Sequence, residues 1–179
     1  MSQPNKPDWP ARIVGRTLSD LTLPSTRVEA AALASLGKSR SVLYVYPMTG
    51  RPGVPNPDGW DRIPGARGCT PQACSFRDHF EELRRLGVDH LYGLSTQSTA
   101  YQREAWERLE LPFLLLSDED VRLVAAMRLP TFETAGMTLL KRFTLVIDAG
   151  RVTHVFYPVF PPDQSAQQVI DWLAERVSS

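Results

Sequence analysis

The sequence predicts an α/β fold: a mixed, mostly parallel central sheet with helices on both faces. Three observations predict it. Short apolar runs alternate with amphipathic stretches along most of the chain. Ser41-Val-Leu-Tyr-Val-Tyr46 is apolar at nearly every position, as a strand buried on both faces requires. Near the C-terminus, Asp148-Ala-Gly150 separates two β-rich runs, which adds an antiparallel hairpin to the parallel set.

Taken in order, residues 1–19 are polar, carry Pro4, Pro7 and Pro10, and read as an N-terminal arm before one domain over 20–179. Asp20 to Pro24 alternates polar and apolar residues and ends in proline, which suits a short edge strand. The alanine-rich run over 28–36 predicts a short helix stopped by Gly37. The buried strand at Ser41–Tyr46 ends at Pro47. Residues 48–68 form a long loop with four prolines and five glycines, a length that within one domain points to function. A helix follows, with Thr70 as its N-cap, Pro71 in its first turn, and Phe76, Phe80, Leu83 and Leu86 on one face before Gly87.

The second half alternates. Val88–Leu94 reads as a strand and Ser98–Leu109 as a helix. Phe113–Leu116 is a short buried strand, and Ser117-Asp-Glu-Asp120 caps a helix running to about Leu129. Arg142–Ile147 and Arg151–Phe156 form the terminal hairpin, and a last apolar-faced helix starts at Asp163. Trp106 and Trp172 sit among apolar residues at helical spacing, as core residues do. This order fits a thioredoxin-like sheet.

Composition narrows the function. Of 179 residues, 42% are hydrophobic, enough for a core without covalent staples. Twenty basic residues balance twenty acidic ones, which argues against nucleic-acid binding through bulk charge. No run approaches the ~18 apolar residues of a membrane span, and the N-terminal residues contain no apolar core of a signal peptide. The expectation is a cytoplasmic protein that binds neither membrane nor nucleic acid. His79, His90 and His154 lie in separate segments without ligand spacing, so no metal is expected.

The chemical signal is Cys69-Thr-Pro-Gln-Ala-Cys74. Cys69 follows a glycine-rich loop and meets the start of a helix, where free N–H groups and the helix dipole favour an anion. Arg67 stands two residues before it. Such surroundings populate a thiolate, which peroxide oxidises to a sulfenic acid that condenses with a second thiol. Cys74 is a ready second thiol. If both cysteines lie in regular helix, their Cα atoms are about 8–9 Å apart, beyond the ~7 Å limit of a disulfide. The first turn must then unwind. If Cys69 lies just outside the helix, the rearrangement is smaller.

These stretches resemble the peroxiredoxins of the bacterioferritin-comigratory-protein, or PrxQ-type, branch. The resemblance runs from about Leu21 to Leu173 and rests on Val45-Tyr46-Pro47, Gly68–Asp78, Gly93–Thr96, Leu115–Asp120 and Arg142–Asp148. It implies a thiol peroxidase reducing hydrogen peroxide or organic hydroperoxides. Cys69 would be the peroxidatic cysteine and Cys74 the resolving one, forming an intramolecular disulfide recycled by a thioredoxin-like dithiol protein. Arg142 would hold the thiolate and the peroxide oxygen, and Pro47 would shield them. No cofactor is implied, and the molecule would be a monomer or weak dimer.

One departure stands out. The family pattern places a threonine three residues before the reactive cysteine, and Ala66 stands there. The expanded 48–68 segment offers Thr49 as a substitute hydroxyl, and its position favours a lid. Two other readings compete: a non-peroxidase thiol redox sensor, and a thioredoxin-like binding module. The Cys-x-x-Cys of dithiol oxidoreductases is absent.

Overall fold

The computed structural model describes residues 8–18, 20–27, 30–33 and 39–177. In chain order the elements are α1 (Trp9–Ile13), β1 (Thr22–Leu23), β2 (Ala31–Ala32), β3 (Arg40–Val45), α2 (Cys69–Asp78), α3 (Phe80–Arg85), β4 (Val88–Ser95), α4 (Thr99–Arg108), β5 (Leu114–Ser117), α5 (Arg122–Met127), β6 (Thr131–Thr134), β7 (Met137–Leu140), β8 (Phe143–Asp148), β9 (Arg151–Phe156) and α6 (Ser165–Val177).

Five strands form the central sheet in the order β5-β4-β3-β8-β9. β3, β4 and β5 run parallel, and β8 runs antiparallel to both β3 and β9. Four of the five strands therefore point one way, although only half of the ladders are parallel. Side-chain alternation along β3 explains its apolar run. Val42, Tyr44 and Tyr46 enter one core with α2, α3 and α6, while Leu43 and Val45 enter another with α1 and α5. Gly93 on β4 is required by close approach: a Cβ there would lie 2.7 Å from the Tyr44 ring.

Several local expectations change. Ala31-Ala32 pairs antiparallel with Thr22-Leu23, so a helix over 28–36 does not hold there; 28–29 and 34–36 lie outside the described residues. The alanines are not on an isolated helix because β1 offers them a ladder. In the arm, Trp9 and Ile13 are buried, and Trp9 meets Phe143 and Tyr157 edge-on. The helix expected from Thr70 to Leu86 breaks at His79, whose Nδ1 lies 2.8 Å from the Ser75 carbonyl oxygen.

The α5 cap is reached from a distance. Asp118 accepts from the backbone N–H of Arg122, Leu123 and Val124, so one carboxylate serves three orphan donors. The β6–β7 hairpin was not expected. Its turn, Ala135-Gly136, has positive φ at both residues, as a two-residue hairpin turn demands.

Residues 48–68 are folded. Trp60 starts a 3-10 turn and is buried with Ala66 and Leu139, with Met48, Ile63, Phe132 and Met137 packed around them. This small core ties the loop to the β6–β7 hairpin. Among the described residues, no helix is long and apolar enough to cross a membrane.

Candidate active site

Cys69 is the first residue of α2, and Gly68 is its N-cap. Thr70 is therefore inside the helix rather than its cap, and Pro71 remains in the first turn, where its missing N–H leaves no bond unmade. Two constraints choose Gly68. Its φ is +100°, and a Cβ would lie 2.7 Å from Pro162 Cγ. The chain thus enters α2 through a left-handed step pressed against the segment leading into α6.

Antiparallel register brings Arg142 to the same place. Val45 pairs with Phe143, so Arg142 sits one step further, where β3 gives way to Pro47. Its guanidinium is 3% exposed in residue terms and reaches the Cys69 sulfur, Nη2 to Sγ 3.1 Å. The same group donates to the carbonyls of Gly65 (3.3 Å), Ala66 (3.1 Å) and Arg67 (3.0 Å). Three successive loop carbonyls therefore fix the guanidinium plane. Nη1 donates to the Gln72 side-chain oxygen, and Gln72 Nε2 donates to Ser165 Oγ at 3.3 Å. Gln72 lies one turn after Cys69 and is fully buried.

Cys69 is 5% exposed and its thiol also faces the Ala66 carbonyl at 3.8 Å. Ala66, where the family pattern has threonine, thus meets Cys69 through its backbone carbonyl. Thr49 is engaged with Gln97 in this structure. Its hydroxyl donates to Gln97 Oε1 at 3.4 Å, its N–H donates to the same oxygen at 3.1 Å, and its carbonyl accepts from Gln97 Nε2 at 3.0 Å. Gln97 clamps Thr49 from the end of β4. Pro47, two residues past the end of β3, is buried.

Cys74 is half-buried, and both cysteines are free thiols. Both lie in α2, so of the two arrangements left open by the sequence, the one requiring unwinding applies. Beneath the helix, Tyr44 stacks on Phe76 at 4.6 Å. Burial pushes the Tyr44 and Tyr46 hydroxyls well above the usual phenol range, so both rings stay neutral.

A cleft of about 340 Å³ opens onto Cys69, walled by Met48, Arg51, Asn56 and Trp60 of the long loop and by Arg108. Of the residues singled out in the sequence, the structure brings Arg142 and Cys69 together, puts Cys74 on the same helix and buries Pro47 nearby; Gln72 and Gln97 were not singled out. The i,i+3 spacing from Cys69 could have revealed Gln72. Nothing local marks Gln97, which lies 48 positions from Thr49. Among the described residues, no cluster of three or more His, Cys, Asp or Glu is placed to hold a metal ion.

The chain matches the redoxin family over residues 13–170. It is 31% identical over 159 residues to peroxiredoxin Bcp of Escherichia coli strain K12, covering 87% of this chain and 91% of that one. Peroxidoxin BcpB from Mycobacterium tuberculosis superposes with a TM-score of 0.72 at 27% identity, over 90% of this chain and 96% of that one. A cysteine-to-serine mutant of PrxQ from Xylella fastidiosa shares the fold, with a TM-score of 0.74 at 19% identity over 92% of this chain and 96% of that one. The chain belongs to the redoxin family and, within it, to the Bcp/PrxQ-type peroxiredoxins.

Proposed function

We propose that this thiol peroxidase uses Cys69 as its peroxidatic cysteine and Cys74 as its resolving cysteine. The observation that carries the assignment is the Arg142 guanidinium 3.1 Å from the Cys69 sulfur at the N-terminus of α2. Positive charge on one side and free helix N–H groups on the other support negative charge on sulfur. The thiolate attacks the terminal oxygen of a hydroperoxide. The O–O bond breaks, an S–O bond forms, and the leaving alkoxide or hydroxide takes a proton and departs as alcohol or water. Cys69 is now a sulfenic acid.

Arg142 also stabilises charge on the departing oxygen, because its donors are already oriented by the Gly65, Ala66 and Arg67 carbonyls. Gln72 is a positioning residue that holds the guanidinium. Pro47 keeps water from the sulfur. Resolution follows when the first turn of α2 unwinds. The Cys74 thiol attacks the sulfenic sulfur, a disulfide forms and water leaves. A thioredoxin-like dithiol protein then reduces the disulfide and is itself oxidised. The protein acts as a monomer or weak dimer in a reducing compartment such as the cytoplasm.

The test is consumption of hydrogen peroxide with a thioredoxin system, wild type beside Cys69→Ser. Turnover is expected in wild type and background rates in the variant. Full activity in Cys69→Ser would refute the assignment.

A further inference from the structure

A concavity of about 500 Å³ lies beside β5, the edge strand of the central sheet, where the segment after β1 meets α4 and the start of α5. Its size is that of a small-ligand site. Arg27, Arg103 and Arg122 line it, one from each of those three elements. None of the residues that line it lines the Cys69 cleft.

The three cations share this space without a protein counterion. Arg40, Arg67, Arg77 and Arg108 each meet a carboxylate elsewhere. Among the described residues, no carboxylate pairs with Arg27, Arg103 or Arg122, although Asp120 stands in the same wall. Like charges gathered in one place repel, and a concave wall focuses their field on whatever enters.

The chain beneath each arginine is pinned. Ser25 Oγ donates to the Arg27 carbonyl at 3.3 Å and accepts from the Arg27 N–H at 3.2 Å. Arg103 Nε donates to the Thr26 carbonyl at 3.3 Å. Thr26 is itself held on β5: its N–H donates to the Leu115 carbonyl at 3.0 Å, and its Oγ1 accepts from the Leu115 N–H at 3.2 Å. The Arg122 N–H donates to Asp118 Oδ1 at 2.8 Å. These bonds occupy backbone groups and one guanidinium nitrogen. The remaining guanidinium donors have no protein acceptor among the described residues. Donors held in place before a ligand arrives lower the cost of ordering them.

The chemistry of the wall selects the ligand. A guanidinium presents paired N–H donors that match phosphoryl oxygens. A single carboxylate satisfies one such fork, whereas a multiply charged phosphoryl group engages several. Thr22 and Thr99 add hydroxyls to the wall. Asp120 and its neighbour Glu119 are exposed and oppose a long polyanion, so an extended nucleic-acid backbone is disfavoured and a compact anion is not. We infer that this concavity binds the phosphoryl group of a small anionic ligand, with Arg27, Arg103 and Arg122 as its donors. The inference is independent of the role of Cys69.

The experiment is isothermal titration calorimetry of the full chain with sodium pyrophosphate, with ionic strength held constant by sodium chloride. Saturable one-to-one binding is expected. At ~100 times the Kd, pyrophosphate should also raise Tm by roughly 5–10 °C. Arg27→Gln and Arg122→Gln should each weaken binding by about tenfold or more, the worth of a charge-assisted hydrogen bond. Neither guanidinium bonds to the rest of the described protein, so both variants should fold. Arg62→Gln removes the same charge from the exposed long loop and should leave the affinity unchanged. A nucleoside diphosphate distinguishes the sources of the phosphoryl group. Binding over ~tenfold tighter than pyrophosphate would support a nucleotide with its base on Pro24 and Ala30, and equal affinity would support recognition of the phosphoryl group alone. Neither heat nor a Tm shift in wild type would overturn the inference. So would wild-type affinity in the Arg27→Gln/Arg122→Gln double variant, or an equal loss in Arg62→Gln, which would reduce the effect to bulk charge.

Discussion

Cys69 and Cys74 are five positions apart on one helix and occupy different chemical environments. Cys69 is buried at the helix N-terminus with a guanidinium against its sulfur. Cys74 is half-buried a turn and a half later. At ~100° per residue, five positions turn the two side chains ~140° apart. Residue type and helix are shared, so neither explains the difference. Position relative to the helix end, and to Arg142 arriving from the sheet, does. A thiol is made reactive by its neighbours.

The largest effect that would break this comparison is removal of the guanidinium. Arg142→Gln should lower kcat/KM for peroxide by roughly 10²–10³-fold, the usual loss for an oriented donor at a developing charge. It should also destabilise the fold by about 2–4 kcal/mol, because buried carbonyls lose their donor. Stopped-flow peroxide reduction and urea denaturation read the two effects separately. A variant with wild-type kcat/KM would show that Cys69 needs no cation.

Cys74→Ser addresses the other thiol. The first oxidation of Cys69 should proceed at close to the wild-type rate, as a burst of one equivalent of peroxide per protein. Steady-state turnover with thioredoxin should then collapse, and a sulfenic-acid probe should label Cys69. Sustained turnover would remove Cys74 from the cycle.

The smallest expected effect comes from the step that presents Cys69. Gly68→Ala must place a Cβ at φ +100° and 2.7 Å from Pro162 Cγ. The conformational part alone costs ~1–2 kcal/mol, and Pro162 must shift as well. The urea midpoint should fall, and peroxide reduction should fall with it as the N-terminus of α2 tilts. Unchanged stability would mean that the α6 approach yields freely to α2.

Much of the fold was legible because its signals are local. The apolar run of β3, the glycine stop at Gly87 and the turn before Arg151 each follow from side-chain sterics over a few residues. The two cysteines of Cys69-Thr-Pro-Gln-Ala-Cys74 are likewise read directly from the sequence as lying at the start of a helix. What was not legible depended on distant contacts. Ala31-Ala32 extends because β1 lies beside it. Thr49 meets Gln97, 48 positions along the chain.

The sequence by itself determined the alternation of strands and helices, the buried character of β3, and the presence of two thiols at the start of a helix. These follow from hydrophobic period and backbone preference, which act between near neighbours. Only the tertiary structure decided that Arg142, 73 positions away, meets the Cys69 sulfur, and that the long loop closes over a small core around Trp60. Those outcomes depend on sheet register and on packing between distant segments. Buried polar groups must find partners wherever the fold brings them, and no local pattern records where that will be.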